Sequence, residues 1–165
     1  MKVFHEFPAY YDEDSQILIL GSMPSPKSRQ YRFYYMHPQN RFWTVLANVY
    51  QEEFPFSIED KKAFLKKHHI ALWDVIASCE IKGAQDASIK EIQVNPIETL
   101  LSNSAIKTIY VTGKKAEQLY NQYCYPQTQK KAIYLPSTSA ANIANYRLED
   151  LIKQYQKIRK EEEVQ

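Results

Sequence analysis

Short apolar runs of strand length alternate along this chain with segments of helical periodicity, and this alternation constrains the fold more than any other feature. The apolar runs cover residues 17–20, 70–73, 108–111 and 132–135. Helical patterns begin near residues 42, 58, 96 and 113, and a final amphipathic segment covers residues 148–158. Strands joined by helices require right-handed crossovers, which place a parallel sheet between two helix layers. The sequence therefore predicts an α/β fold: one three-layer α/β/α domain with a central, mostly parallel four-stranded sheet.

The length of the chain sets the expected number of domains. Its 165 residues match one domain of about 100–200 residues, so we expect a single domain over residues 1–165 whose last few residues fray. The longest aliphatic run is only four residues, 17–20, and the first residues lack the apolar stretch of a signal peptide. We therefore expect a cytoplasmic protein without a membrane segment. A monomer is expected as well.

The sequence contains no motif for a nucleotide cofactor or a metal ion. A dinucleotide fingerprint or a phosphate-binding loop needs closely spaced glycines. The chain has three, far apart: Gly21, Gly83 and Gly113. The two cysteines lack a second cysteine or a histidine at ligand spacing, and the adjacent His68 and His69 would point about 100° apart on a helix. We expect no cofactor and no metal.

A basic and aromatic segment follows the first predicted strand. The net charge of +2 does not by itself indicate a polyanionic partner, but residues 27–41 contain no acidic side chain. Their cations are Lys27, Arg29, Arg32 and Arg41, and their interleaved aromatics are Tyr31, Phe33, Tyr34 and Tyr35. This mixture suits a phosphate-rich ligand with stacked bases. A solvated basic loop whose aromatics pack onto the core is the alternative interpretation.

Ligands of open parallel sheets bind outside the carboxyl ends of the strands. The loops after the first and fourth predicted strands, from Gly21 and from Pro136, are therefore the first candidates for a site. Asp74 and Asp86 flank a third loop, predicted as irregular between residues 74 and 88, and both are possible site residues by position. For Asp74, a helix cap or a partner of loop backbone groups is the alternative.

Five motifs, in this order, carry a resemblance to a known family. They are LGSMPS at residues 20–25, FYYMHPQNRFW at 33–43, LWDV at 72–75, GKKA at 113–116 and LPSTS at 135–139. Their order and spacing resemble the uracil-DNA glycosylase superfamily, and most closely its DNA-deoxyinosine (hypoxanthine) glycosylase branch. The resemblance implies a monofunctional hydrolase that flips a deaminated base out of DNA, cuts its N-glycosidic bond and leaves an abasic site. It implies DNA containing deaminated bases as the partner.

In the branch that the chain resembles, catalysis falls to the asparagine of a His-Pro-x-Asn motif, which corresponds to Asn40. Its amide oxygen could orient a water molecule and its NH2 could contact the base; the alternative is an N-cap before residues 41–43. The chain departs from related branches at Met23, where mismatch-specific uracil enzymes have asparagine. Ala140 replaces a proline of the last motif, which reduces the expected rigidity of that loop.

The resemblance also implies the remaining site residues. The base pocket is assigned to Gly21, Ser22, Met23, Pro24, Tyr34, Tyr35 and His37. DNA contacts are assigned to Ser25, Lys27, Arg41, Pro136, Ser137, Thr138 and Ser139. One of Phe33, Tyr34 and Tyr35 is expected to stack on the extruded base. His37 is either a donor to the base or a phosphate, or a structural histidine, and a helix-capping turn is the alternative for residues 137–139.

Other functions remain open at this stage. Uracil or xanthine, or a mismatched base, could be the preferred substrate, because one sequence does not reveal which edge of a base the pocket accepts. A non-catalytic module that binds a nucleotide or a DNA lesion would use the same loops. Formation of abasic sites distinguishes the enzyme from both binding modules.

Overall fold

The structure, a computed structural model, describes residues 1–80 and 89–164. Its strands are β1 (Lys2–Phe4), β2 (Ile17–Gly21), β3 (Ile70–Asp74), β4 (Ile76–Glu80), β5 (Lys90–Val94), β6 (Thr108–Thr112) and β7 (Ala132–Leu135). Its α-helices are α1 (Pro26–Tyr31), α2 (Phe42–Val49), α3 (Ile58–Lys67), α4 (Ile97–Ser102), α5 (Lys114–Leu119), α6 (Tyr125–Thr128) and α7 (Leu148–Val164). A π-helical turn, Tyr120–Cys124, joins α5 to α6, and a 3-10 turn, Ala140–Asn142, precedes α7.

Four parallel strands form the central sheet, in the order β3-β2-β6-β7. All five residues of β2 are buried, as expected for an interior strand of a sheet covered on both faces. Ile17 and Ile19 belong to one core, and Leu18 and Leu20 to the other, because successive side chains of a strand point to opposite faces. The predicted α/β fold, with a parallel four-stranded sheet flanked by helices, is confirmed.

Helices from both ends of the chain cover one face of the sheet. In α7, Leu151, Tyr155 and Ile158 are buried at helical spacing and pack in the same core as α2. The Tyr155 hydroxyl donates to Pro136 O at 2.6 Å. This bond fixes the loop that follows β7 to the last helix. On the opposite face, α4 and α5 contribute to the second core.

A second, antiparallel sheet has the order β1-β4-β5. The prediction of an irregular segment from residue 74 was wrong, because residues 76–80 form β4. Buried and exposed residues do not alternate regularly in β4, since the neighbours Ser78 and Cys79 are both buried. Its sequence therefore matches neither the periodicity of a strand nor that of a helix. Residues 81–88 lie outside the described part, and with them the candidate Asp86 and Gly83.

Asn95 stands just before α4, a position where asparagine often caps a helix, but it does not cap this one. The helix begins at Ile97 without a side-chain cap. The Asn95 amide instead donates to Asp74 O at 2.8 Å and to Ile76 O at 3.2 Å. An amide can satisfy two buried carbonyls here, whereas a cap would satisfy one backbone N–H. Asn95 therefore fixes the chain where β3 passes into β4.

Candidate active site

One large cavity opens at the carboxyl ends of the parallel strands. Its volume is about 920 Å³, within the range of small-molecule and cofactor sites. Gly21 of β2 and Asp74 of β3 are register partners and both line it, together with Thr112 at the end of β6. The described residues therefore form this cavity at the carboxyl ends of the strands, which is the position that the sequence predicted for the site.

Most of the predicted site residues line this cavity. From the base-pocket set they are Gly21, Ser22, Met23, Pro24, Tyr34 and Tyr35. From the other sets they are Asn40, Asp74, Ser25, Ser137, Thr138 and Ser139. The structure thus brings together the first, second and last motifs, which are separated by up to about a hundred residues in sequence.

The amide oxygen of Asn40 accepts two hydrogen bonds. Phe42 N donates to Asn40 Oδ1 at 2.9 Å, and Thr138 Oγ1 donates to the same atom at 2.8 Å. Because a backbone N–H can only donate, the first bond identifies this atom as the oxygen. Asn40 Oδ1 satisfies the N–H of Phe42, the first residue of α2, but the N-cap position itself is Arg41, which makes no side-chain capping bond. Asn40 thus acts on the start of the helix from one position before its N-cap.

This arrangement changes the role expected of Asn40. A carbonyl oxygen has two lone pairs, and Phe42 and Thr138 occupy both. The prediction that this oxygen orients a water molecule therefore does not fit the structure. The Asn40 NH2 group has no hydrogen-bond partner among the described residues. It is a donor available to a ligand.

Backbone and hydroxyl bonds hold the last motif against the second. Arg41 N donates to Thr138 O at 3.1 Å, and Thr138 is only 2% exposed. The Ser137 and Ser139 hydroxyls accept from backbone N–H groups two residues further on, as serines do in tight turns. Both interpretations of this segment are thus compatible, because the hydroxyls form a capping turn at the cavity wall.

Asp74 is bonded to a residue that the sequence analysis did not identify. His5 Nε2 lies 2.9 Å from Asp74 Oδ2, and His5 Nδ1 lies 2.9 Å from Phe7 O. The side chains of His5 and Asp74 are 1% and 5% exposed. Asp74 caps no helix, since it ends β3. His5 belongs to no motif, so nothing in the sequence pattern pointed to it.

Gly21 is required by close approach. A Cβ atom at this position would lie 2.5 Å from Asp74 Oδ1, far inside van der Waals contact. Any larger residue would therefore displace the carboxylate from the cavity floor. The absence of a side chain at Gly21 is therefore what allows the Asp74 carboxylate to occupy its position.

Of the three aromatic candidates, Phe33 lies in the core alone, whereas Tyr34 and Tyr35 both line the cavity. Phe33 is buried and stacks on Trp43 at 6.1 Å between ring centroids. The Tyr34 hydroxyl donates to Pro8 O at 3.1 Å, and burial raises the pKa of Tyr34 well above its usual value. Tyr35 is half-buried, lines the cavity and stacks on Phe42 at 3.8 Å. Tyr35 is thus the partly exposed aromatic of the three.

Four predicted site residues are not among the cavity-lining residues. His37 is exposed, and its Nδ1 accepts from Gln39 N at 3.1 Å. Lys27 is exposed on α1, and Pro136 is buried. Arg41 Nη1 donates to Tyr146 O at 2.7 Å. The pocket assignment of His37 is not supported by this placement, and Arg41 fixes the segment before α7.

The structure adds cavity residues that the sequence analysis left unassigned. They include Thr112, Lys114, Lys115, Tyr134, Asn145 and Tyr146. Lys114 Nζ lies 5.3 Å from the centre of the Tyr134 ring, a cation–π contact. The GKKA motif was the available signal for the two lysines, because it was already part of the family resemblance. Both lysines bring positive charge to the cavity.

The described residues contain no group of three or more His, Cys, Asp or Glu side chains able to hold a metal ion. No helix among them has both the length and the apolar composition needed to cross a membrane.

Comparisons with known proteins agree with the motif resemblance. The family model of the uracil DNA glycosylase superfamily matches residues 8–161. A hypoxanthine DNA glycosylase of Methanosarcina barkeri is 34% identical over 112 residues, which are 67% of this chain and 71% of that protein. One of the same name from Methanosarcina acetivorans is 34% identical over 138 residues, 82% of this chain and 86% of that protein.

A solved structure is similar over almost the same extent. It is a solution NMR structure of a candidate uracil DNA glycosylase from Methanosarcina acetivorans, with a TM-score of 0.77 and 30% identity. The similarity covers 93% of this chain and 96% of that one. Because the family model spans nearly the whole sequence, the chain belongs to the uracil DNA glycosylase superfamily.

Proposed function

We propose that this DNA glycosylase removes hypoxanthine from deoxyinosine in DNA and leaves an abasic site. The observation that carries the proposal is Asn40, which lines the cavity of about 920 Å³ and is held by Phe42 and Thr138, while its NH2 group has no partner among the described residues. The two relatives named hypoxanthine DNA glycosylase support this choice of base. The protein acts on DNA as a monomer and without a cofactor.

The chemistry required is the hydrolysis of one C–N bond. The bond from C1′ of the sugar to N9 of the base breaks, and its electron pair leaves with the base. Water adds to C1′ and loses a proton, and the base gains one. Negative charge therefore develops on the base while positive charge develops on the sugar. The Asn40 NH2 group stabilises the negative charge by donating a hydrogen bond.

DNA contacts are expected at the rim of the cavity. Lys114 and Lys115 neutralise phosphates, and the Ser137 and Ser139 hydroxyls, which still have a hydrogen to donate, contact the strand. Thr138 holds Asn40 and makes no contact of its own with DNA in this proposal. Tyr35 is the aromatic proposed to contact the extruded base. Water is the nucleophile, so the enzyme is monofunctional, and borohydride should trap no covalent complex with either lysine.

A strand-nicking assay after alkali tests the proposal. Matched duplexes carry deoxyinosine, deoxyuridine, deoxyxanthosine or no lesion, and all reactions contain a chelator. We expect nicking at deoxyinosine without added metal and little at the unmodified site. Faster excision of uracil or xanthine than of hypoxanthine would make that base the preferred substrate. Nicking that requires a divalent ion would contradict the mechanism.

One observation favours a second candidate function. With both lone pairs of Asn40 Oδ1 occupied, this residue offers no acceptor to orient a nucleophilic water. A protein that flips and binds a lesion without cutting it would need only the donor. Tight binding of deoxyinosine DNA with no abasic product in single-turnover conditions would support that alternative.

A further inference from the structure

The cavity extends across the whole width of the central sheet. Its lining includes Asp74 of β3 and Tyr134 of β7, the two outer strands. Neighbouring strands lie about 4.8 Å apart, so the three steps from β3 to β7 span about 14 Å. A volume of about 920 Å³ is enough for a drug-sized ligand, and a single base is far smaller. The cavity therefore has room for more of a DNA strand than the base that is cut.

The aromatic residues of this lining lie on different strands of the sheet. At β2, the Tyr35 hydroxyl lies 3.4 Å from the position of a Cβ atom on Gly21, and Tyr35 is the aromatic proposed to contact the extruded base. At β7, Tyr134 lines the cavity together with Lys114 at the start of α5. Because β6 lies between β2 and β7, these two strands are about 10 Å apart. Tyr134 is thus an aromatic cavity residue that the proposed mechanism does not use.

Tyr134 has the properties of a stacking residue beside a free cation. Its side chain is half-buried. Burial raises the pKa of Tyr134, and the nearby Tyr146 and Glu117 raise it further, so the phenol is neutral at physiological pH and does not repel a phosphate. Lys114 Nζ lies 5.3 Å from the centre of the ring. Lys114 is exposed and forms no ion pair with a carboxylate in the part of the chain that the structure describes.

The ring and the cation match the two parts of a neighbouring nucleotide. A phosphate links the flipped nucleotide to its neighbour, and an ammonium group binds a phosphate more strongly than the face of a phenol. When Lys114 moves to the phosphate it uncovers the ring, and a base stacked there is worth more than an exposed cation–π contact. We infer that Tyr134 and Lys114 bind the nucleotide next to the flipped one, Tyr134 by stacking on its base and Lys114 by pairing with the linking phosphate.

This inference rests on the proposed function and extends its site by one nucleotide. The contact does not depend on the identity of the neighbouring base, because every base has a π-face. In a duplex the neighbouring base must first leave its own stack and its own pair, which costs free energy. The site therefore favours single-stranded DNA.

The experiment removes the neighbouring base and keeps the phosphates. Single-stranded oligonucleotides carry an uncleavable 2′-fluoroarabino analogue of deoxyinosine, and a propanediol spacer replaces the nucleotide on its 5′ side, on its 3′ side or at a distant position. Binding is measured by fluorescence anisotropy. We expect the spacer on one of the two adjacent sides to weaken binding to the wild type by about 10-fold, the value of one base stacked on an aromatic ring. The distant spacer should have no effect.

Four variants locate that effect. In Tyr134→Ala, intact and spacer-containing strands should bind alike, whereas Tyr134→Phe keeps the ring and should keep the difference. Lys114→Ala should weaken the binding of all strands and reduce the slope of log K against log salt by about 0.7, with the difference kept. Tyr123→Ala, a matched control at an exposed tyrosine outside the cavity lining, should behave as the wild type.

Two outcomes would overturn the inference. One, which needs no variant to fold, is wild-type protein that binds strands with either adjacent spacer as tightly as the intact strand. The other is a Tyr134→Ala protein, with wild-type circular dichroism, in which an adjacent spacer still weakens binding as much as in the wild type. Excision from cleavable deoxyinosine strands is measured in parallel: no excision by the wild type rejects the proposed function, whereas excision without any effect of the spacers rejects only the site for the neighbouring nucleotide.

Discussion

The oxygen and the nitrogen of the Asn40 amide have different roles. Its oxygen joins the start of α2 to Thr138, and its nitrogen has no hydrogen-bond partner among the described residues. Stability and activity should therefore respond separately to substitutions that change one end of the side chain. Replacing Asn40 by aspartate or by alanine allows the effects on stability and on excision to be measured separately.

The Asn40→Asp variant keeps the cap and removes the donor. One carboxylate oxygen can accept from Phe42 N and Thr138 Oγ1, so the melting temperature should stay within a few degrees of wild type. The other oxygen replaces NH2 and opposes negative charge on the base, so single-turnover excision should fall by about 10²- to 10³-fold. Equal or faster excision by Asn40→Asp would instead assign Asn40 to activating water.

The Asn40→Ala variant is the matched comparison, because it removes both ends. We expect a loss of about 1 kcal/mol in the free energy of unfolding from the missing cap. Excision should fall by about two to four orders of magnitude, as for other lost transition-state donors. Chemical denaturation and single-turnover kinetics measure the two effects. A less stable but fully active protein would leave Asn40 with the capping role alone.

Thr138 should act on catalysis through Asn40. The Thr138→Val variant keeps the shape of the side chain and removes the 2.8 Å bond to Oδ1, at a cost of about 1 kcal/mol in stability. With one support lost, excision should slow by about 10-fold while affinity for an abasic site is kept. Thr138→Ser should restore the rate. Failure of serine to do so would place the effect in packing.

Part of this site could be predicted at the level of residues. Asn40 as both cap and cavity residue follows from its position before a helix and from the motif. The second hydrogen bond to the Asn40 oxygen could not be predicted, because its donor, Thr138, lies 98 positions away in the sequence. His5 could not be predicted either, since a lone histidine in an N-terminal segment gives no pattern until the fold brings Asp74 to it.

Elements with strong periodicity were predictable, and those set by pairing were not. The buried runs of β2, β3, β6 and β7 are recognisable because a central parallel strand is apolar on both faces. β4 and β5 are as long as the central strands, but neither is continuously buried nor alternates regularly, and β1 has only three residues. These three strands pair with one another, and such pairing leaves no pattern in the sequence of any one of them. Gly113, Lys114 and Lys115 line the cavity because the turn from β6 into α5 lies at the end of the sheet, and the sequence of these residues alone does not indicate that position.

The loop after β7 is an element whose stiffness we expect to matter for base extrusion. Ser139 Oγ accepts from Ala141 N at 3.2 Å and caps the 3-10 turn. Ser139→Ala should lower excision from duplex deoxyinosine by about 5-fold, the equivalent of one cap, with little change on single strands.

Wild-type excision should be faster opposite thymine or guanine, or in single strands, than opposite cytosine. Equal rates in every pairing context would show that extrusion is not limited here.

Ala140→Pro is the stiffened counterpart of that variant. Ser139 has φ −57° and ψ 147°, an extended conformation that is favoured before proline, and the first position of a helical turn tolerates proline. The substitution should therefore raise stability by about 0.4–1 kcal/mol. Its effect on excision should again be larger on duplexes than on single strands, and a change of the same size on both would contradict the assignment.

At the scale of the whole molecule, tyrosines whose hydroxyl groups are buried should set the alkaline limit of stability. Burial raises the pKa of Tyr34, Tyr35 and Tyr155 above the usual value near 10. Their stabilising contribution is fully present below pH 10 and is lost as the pH rises above it, because the unfolded chain ionises first. Each should cost about 1.4 kcal/mol per pH unit above 10. Denaturation curves from pH 8 to 11.5 that show constant stability would contradict this.

The bonds that complete the site all join distant parts of the chain. Asn40 and Thr138 are 98 residues apart, His5 and Asp74 are 69 apart, and Arg41 and Tyr146 are 105 apart. Closing such long loops is slow compared with forming local helices. During refolding, helical circular dichroism should therefore recover before excision does, and a chain nicked between two of these partners should lose activity while keeping much of its secondary structure. For this fold, enzyme activity is a reporter of completed long-range assembly.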